Sequence, residues 1–270
     1  MSLPPPAYIP ALTISFKMRG RARLFDSSPE AENADLEFRE RRPEILKRDK
    51  YTCGCCGIVT QPSAGKESGG GLEVHHLSGD HHDNRWENLL SLCPICHAIL
   101  HFWFSALKGP YRKAMLILHL PWISQADLNL MSWGIAVVRH RCSALESEGE
   151  STSRERLMAR EIEETAEEIQ RLLIDNGRFP DDFFPPGCSK GAYEALGNAA
   201  NLAMALRGIA RGHADEFSER ETLLQGIRVF FHPDHLKDAA RKFSAMPAWL
   251  PGPGPKWAVL WQAASDGRRA

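Results

Sequence analysis

Cys53-Gly54-Cys55-Cys56 and Cys93-Pro94-Ile95-Cys96 stand on either side of a paired histidine, His75-His76, with Asn88 before the second turn and His97 and His101 just after it. A Cys-x-x-Cys turn presents two thiolates to one side, and two such turns complete the tetrahedron that zinc prefers. Cys53, Cys56, Cys93 and Cys96 are therefore expected to close a structural zinc site that ties together the ends of the segment between them. Cys55, beside Cys56, could replace a ligand if the turn were distorted.

The histidines suggest a second, open site. His97 and His101 are four apart, so on one helix they face the same way, and His75 would reach them from a preceding strand. Three neutral imidazoles leave coordination positions for water and a phosphate oxygen, which metal-assisted hydrolysis requires; magnesium, manganese, nickel or zinc would serve. His76, on the opposite side of the strand from His75, is placed to act as general base on the attacking water. Asn88 would fix the loop and orient that base through its amide. The competing reading is that some of these histidines fill polar gaps in a zinc-stapled module, and His81 and His82 fall more naturally under it.

A chain of 270 residues can bury one good core and a second smaller one, so two lobes are expected. Hydrophobic residues at 43% and charged residues at 25% are ordinary for a globular protein and exclude wholesale disorder. The longest apolar stretches, Ala98 to Leu107 and Ala114 to Ile123, fall short of the roughly 20 residues that span a bilayer. Met1 to Pro10 is proline-rich, with no basic residue and no apolar core of signal-peptide type. A cytoplasmic location without membrane insertion is the expectation. Seven cysteines in a reducing compartment favour metal over disulfides, with Cys142 and Cys188 as small buried side chains. A net charge of −1 argues against a protein that grips DNA through overall basicity. Positive charge is local, at Lys17 to Arg23 and at Arg39, Arg41, Arg42, Lys47, Arg48 and Lys50. Each run reads as a solvated face, with nucleic-acid contact the alternative for the basic ones.

Along the chain, residues 1–35 read as an N-terminal arm with a strand at Leu12 to Phe16, and Leu36 to Arg48 as a short helix interrupted or begun at Pro43. Pro62 to Gly71 is a loop, Leu72 to His76 a strand, and Ala98 to Leu107 a buried helix, giving a ββα arrangement around a metal. Leu116 to Leu120 reads as a strand, followed by a capped helix from Ser124 to about His140 and a polar linker at Leu145 to Ser153. Met158, Ile162, Ala166, Ile169 and Leu173 recur at helical spacing up to a stop at Asp175-Asn176-Gly177. Ala192 to Ile209 and Pro233 to about Ala245 are further helices. The fold class is α+β, a zinc-stapled ββα-metal core at 36–145 with its following strand and helix, then a mostly helical lobe at 154–248. A Pro/Gly/Trp tail at 249–270 closes the chain.

The histidine and cysteine pattern resembles the HNH, or ββα-metal, endonuclease superfamily over about Glu40 to Phe104, entered through Arg48-Asp49-Lys50-Tyr51-x-Cys53. By that resemblance His75 and His97 bind the catalytic metal, His76 is the base, Asn88 braces the loop, and His101 is a further ligand. A second resemblance reaches further. Leu77-Ser78-Gly79-Asp80, Asp83-Asn84-Arg85, Asn88-Leu89 and the run from Leu118 to Asn129 are similar to the IcmJ/DotN family, with weaker similarity at Arg228 to Ala245. Members of that family are cytoplasmic subunits of the type IVB secretion coupling complex, related to conjugation machinery. They keep zinc on an HNH-type fold and act as protein adaptors, so the resemblance implies a coupling ATPase and other secretion subunits as partners, and recruitment to the inner face of the inner membrane. They do not generally keep the paired and final histidines, and this chain has the whole set. An endonuclease acting on DNA is therefore the alternative function.

Overall fold

The computed structural model describes Ile14 and residues 28–60, 71–147, 152–180, 197–204, 224 and 226–243. The expected strand at Leu12 to Phe16 (apart from Ile14), the loop at Pro62 to Gly71 (apart from Gly71), most of the helix at Ala192 to Ile209 and the tail lie outside the described residues.

Helix α1 spans Pro29–Arg48, seven residues earlier than the expected start at Leu36. Its start is local chemistry: the Ser28 hydroxyl accepts from the Ala31 amide at 3.2 Å, Pro29 sits in the first turn where no amide partner is needed, and Glu30 and Glu32 face the positive helix end. Pro43 neither begins nor breaks the helix. An interior proline costs about 3 kcal/mol; here anchors on both sides offset it. Arg41 and Arg42 donate to the carbonyls of Asn84 (2.6 Å) and Leu72 (2.9 Å), and Ile45 and Leu46 are fully buried. Arg48, with its side chain 4% exposed, donates to the carbonyls of Trp86 and Leu89 and pairs with Asp49. Three members of the expected solvated basic run, Arg41, Arg42 and Arg48, are thus spent on backbone carbonyls between Leu72 and Leu89.

The chain then turns through the first cysteine pair. Gly57 takes a left-handed φ of 72°, which lets its amide fold back onto the Cys53 carbonyl at 3.0 Å. Gly54 presses on the next strand so closely that a Cβ there would lie 2.5 Å from Leu90. Strand β1 (Glu73–His76) pairs antiparallel with β2 (Leu89–Leu92), His75 opposite Leu90 and His76 opposite Leu89. A 3₁₀ turn, Trp86–Asn88, leads into β2. Helix α2 (Pro94–Leu100) follows the second cysteine pair, and α3 (Phe102–Leu107) continues after a break at His101, where φ is −116° and ψ 39°. The single helix expected over Ala98 to Leu107 is therefore two.

Strand β3 (Met115–His119) is followed by α4 (Gln125–Ser147) and α5 (Ser153–Asn176). Helix α4 runs past the expected end at His140, because Cys142 and Leu145 pack into the apolar cluster shared with α5. Helix α5 stops as expected, with the Gly177 amide on the Leu173 carbonyl at 2.9 Å. Residues 199–204 are helical. Strand β4 (Ile227–Phe231) returns to pair antiparallel with β3, Ile117 opposite Val229. The last expected helix is short: a 3₁₀ turn at Pro233–Leu236, then α6, Lys237–Ala240.

Two apolar cores result. The first holds the cysteine cluster with Leu90, Leu92, Ile99 and Phe102; the second lies between α4 and α5. The β3–β4 sheet divides them. Met115, Ile117, Val229 and Phe231 face the first core, while Leu118 and Phe230 face the second. Helix α4 does the same, with Trp133, Ala136 and Val137 on one side and Met131, Ile135 and Val138 on the other.

Candidate metal centres

Cys53, Cys56, Cys93 and Cys96 converge so that their four sulfurs lie within 4.8 Å of one another, and Cys56 and Cys93 are 3.7 Å apart. A zinc–sulfur bond of about 2.3 Å implies a tetrahedron edge of about 3.8 Å, so the spacing fits a metal of that size. The described cysteines are all free thiols, as the metal reading expected. Cys55 is buried beside the group and is not one of the four. Crowded sulfurs cannot ionise alike. Burial raises Cys53, but hydrogen bonds from the neighbouring thiols outweigh it and hold that thiol well below its ordinary value. The bond to Cys53 pushes Cys56 up, and burial pushes Cys96 up. A divalent cation removes this conflict by stabilising every thiolate at once.

The second group is His75, His97 and His101, each offering a ring nitrogen within 4.8 Å of the others. His75 comes from β1, His97 from α2 and His101 from the break before α3, so the shared face of one helix is replaced by a bend that turns His101 toward His75. Ring centroids lie 4.7 to 5.1 Å apart in edge-on arrangements. Burial, followed by the His97 charge, holds His75 down to about 2 and His101 down to about 4. Both are neutral at physiological pH, the state in which imidazole binds a metal. Nδ1 of His97 is engaged by the Glu73 carboxylate, leaving Nε2 for the cluster. Glu73 was missed in the sequence, although it lies two residues before His75 and so on the same strand face.

His76 points away from this trio, as strand alternation requires. Its ring lies against Phe38 (4.7 Å) and His81 (4.6 Å) in tilted contacts, and its Nε2 is 2.8 Å from Asn84 Oδ1. The Asn84 amide is oriented by α1: its Nδ2 donates to the Ala34 carbonyl at 2.7 Å, so its oxygen must face His76. His76 therefore carries its proton on Nε2 and keeps Nδ1 as the basic nitrogen. Burial lowers its pKa, and the Asn84 bond raises it in part. Asn88, expected to fix the loop and to orient this base, makes the loop contacts but not the one to His76. Its oxygen accepts from the Ser78 amide at 2.8 Å and its nitrogen donates to the Asp83 carbonyl at 2.7 Å. The orienting amide is Asn84, four residues earlier.

Two antiparallel strands, a helix and paired cysteine turns around a histidine cluster make an α+β, HNH-like ββα arrangement with a four-cysteine site that could hold zinc, followed by mostly helical structure among the described residues. No family model matches the chain. It is similar to the type 4 apparatus protein DotN of Legionella pneumophila, 33% identical over 99 residues, which is 37% of this chain and 42% of that protein. A shorter match, 54% identical over 28 residues, joins it to the H-N-H endonuclease F-TflIV of Escherichia phage T5, covering 10% of this chain and 12% of the phage protein. The chain thus spans less than half the length of the first relative and about an eighth of the second. No helix among the described residues is long and apolar enough to cross a membrane.

Proposed function

We propose that this protein is a cytoplasmic subunit of a type IVB secretion or conjugative coupling complex, built on a zinc-binding HNH-type module. The observation that carries this reading is the similarity to DotN, a type 4 apparatus protein, over 99 residues. The four-cysteine cluster would hold zinc as a structural staple. Partners would be a coupling ATPase and other secretion subunits, met at the inner face of the inner membrane. The test is co-purification from cells carrying the whole apparatus. A coupling ATPase should be recovered with wild type and equally with His76→Ala, and recovery of no apparatus subunit would remove the proposal.

A second reading, a divalent-metal endonuclease cutting DNA phosphodiesters, is favoured by one observation: the three-imidazole cluster stands beside a histidine whose tautomer is fixed. His75, His97 and His101 would hold the metal, which when bound would polarise the phosphodiester and lower the pKa of a coordinated water. Asn84 holds the His76 ring so that Nδ1 is the nitrogen that can take a proton from the attacking water. Glu73 keeps the His97 ring in one orientation. Asn88 fixes the loop between the strands. Plasmid cleavage with magnesium, manganese or nickel should be seen with wild type and fall by about 100-fold or more in His76→Ala. Equal cutting by both proteins, or none by either, excludes this chemistry.

A further inference from the structure

Helix α4 lies outside the ββα module, yet three buried polar side chains form a line along it at intervals of four: Gln125, Asn129 and Trp133, which are 3%, 0% and 0% exposed. Residues spaced i, i+4, i+8 share one helix face. On a face otherwise buried in an apolar core such groups are costly unless each is satisfied. Here each is, and the bonds run in one direction. The Val229 amide of β4 donates to Gln125 Oε1 at 2.9 Å, which forces the Gln125 nitrogen toward Val229's carbonyl (2.8 Å) and toward Asn129 Oδ1 (2.9 Å). Asn129 must then present its own nitrogen on the far side, where it donates to Cys96 Sγ at 3.2 Å. One turn further, the Trp133 indole N–H donates to Cys93 Sγ at 3.3 Å, with its ring packed on Phe243 at 4.4 Å.

We propose that Asn129 and Trp133 are positioning residues of the four-cysteine metal centre, and that Asn129, through Gln125, makes the docking of β4 depend on metal occupancy. Four thiolates around a divalent ion carry a net charge of about −2 in a buried site. N–H donors aimed at sulfur disperse that charge and orient the ligands, and they are stronger to a thiolate than to a thiol. Leucine at 129 and phenylalanine at 133 would fill the same apolar space, so the polar atoms are explained by the sulfurs they reach. Both donors address Cys93 and Cys96, the pair that opens α2, and the other end of the relay is backbone of the second sheet. Metal loss would therefore be felt at β4 through two side chains, Asn129 and Gln125. The inference is independent of whether the histidine site cuts DNA.

The test begins with wild-type protein loaded with isotopically enriched cadmium. Proton–cadmium correlation spectra should contain cross-peaks to the Trp133 indole N–H and an Asn129 side-chain N–H, because scalar coupling crosses only a bond actually made to a ligated sulfur. Absence of both cross-peaks overturns the proposal without any variant. Zinc transfer to a chromophoric chelator should then be about 10-fold to 100-fold faster in Asn129→Leu and Trp133→Phe than in wild type. Their cobalt-loaded forms should show shifted thiolate-to-metal charge-transfer bands. Val137→Ala removes buried volume from the same helix and core without touching sulfur, and should leave both readouts unchanged. Release rates that follow thermal stability alike in all three variants, with unshifted cobalt spectra, would reduce both residues to packing. Chelation should also speed hydrogen exchange at the Val229 amide; exchange unaffected by metal would remove the link to β4.

Discussion

His75 and His76 are neighbours in the chain and occupy opposite surroundings. His75 is kept from accepting a proton first by burial and then by the positive charge it would bring toward His97 and His101. His76 is held by a neutral amide, and its basicity is depressed chiefly by burial. The first of these has a measurable consequence. His75 and His101 titrate in the folded state at about 2 and about 4, well below the ordinary 6.5. The unfolded chain therefore binds protons that the folded chain refuses as pH falls below 6.5, so stability is full above that value and declines below it, the His101 part levelling off near 4 and the His75 part near 2. With no divalent metal added, the melting temperature should fall by several degrees between about pH 7 and pH 5, and the fall should be smaller in His75→Gln, which also lacks the penalty. Equal falls in the two proteins would mean that the imidazole cluster does not set the slope. The ligand types and their spacing were readable from the chain because chemistry fixes them. The role of Asn84 was not: Asn84 and Asn88 are both amides in one loop, and which of them meets His76 depends on where α1 places the Ala34 carbonyl.

Among the elements, α1 shows how a local rule is masked by a stronger-looking one. Pro43 reads as a breaker, and it drew the helix start toward the middle of the segment. Ser28, Pro29 and the acidic first turn were the correct signal, a capped entry that the charge-rich, weakly amphipathic run behind it disguised. That cap should be worth about 1 kcal/mol, so Ser28→Ala is expected to lower the free energy of unfolding by that amount in urea denaturation. The variant should keep its full metal content, because the cap lies at the far end of the helix from the first cysteine pair. The break at His101 was hidden for a different reason. Ala98 to Leu107 is continuously apolar, and apolar content cannot register a change of direction that the histidine cluster and the bend bring about together. The stop of α5 at Gly177 needed no tertiary information and was readable directly.

At the level of the whole molecule, the organising device is a two-stranded sheet shared by two cores. Phe230 and Phe231 are adjacent, both fully buried, and face opposite cores. Phe230→Ala should cost about 3 to 5 kcal/mol through the cavity it leaves in the second core. Metal analysis of the folded variant should find the cysteine site as full as in wild type; co-loss of metal would show that the second core is needed to assemble the first. The two-lobe expectation does not contain the crossing by which β4 returns to pair with β3. Gln125 and Val229, bonded across that crossing, are 104 positions apart, and sequence periodicity carries no information at such a range.

That return crossing bears on how the chain tolerates being shortened. A fragment ending after α4 would keep every cysteine and histidine ligand but would strip the partner from Met115–His119, leaving a bare apolar edge. Such an edge recruits other chains. Truncation would yield a species whose ligands are intact and whose fate is aggregation.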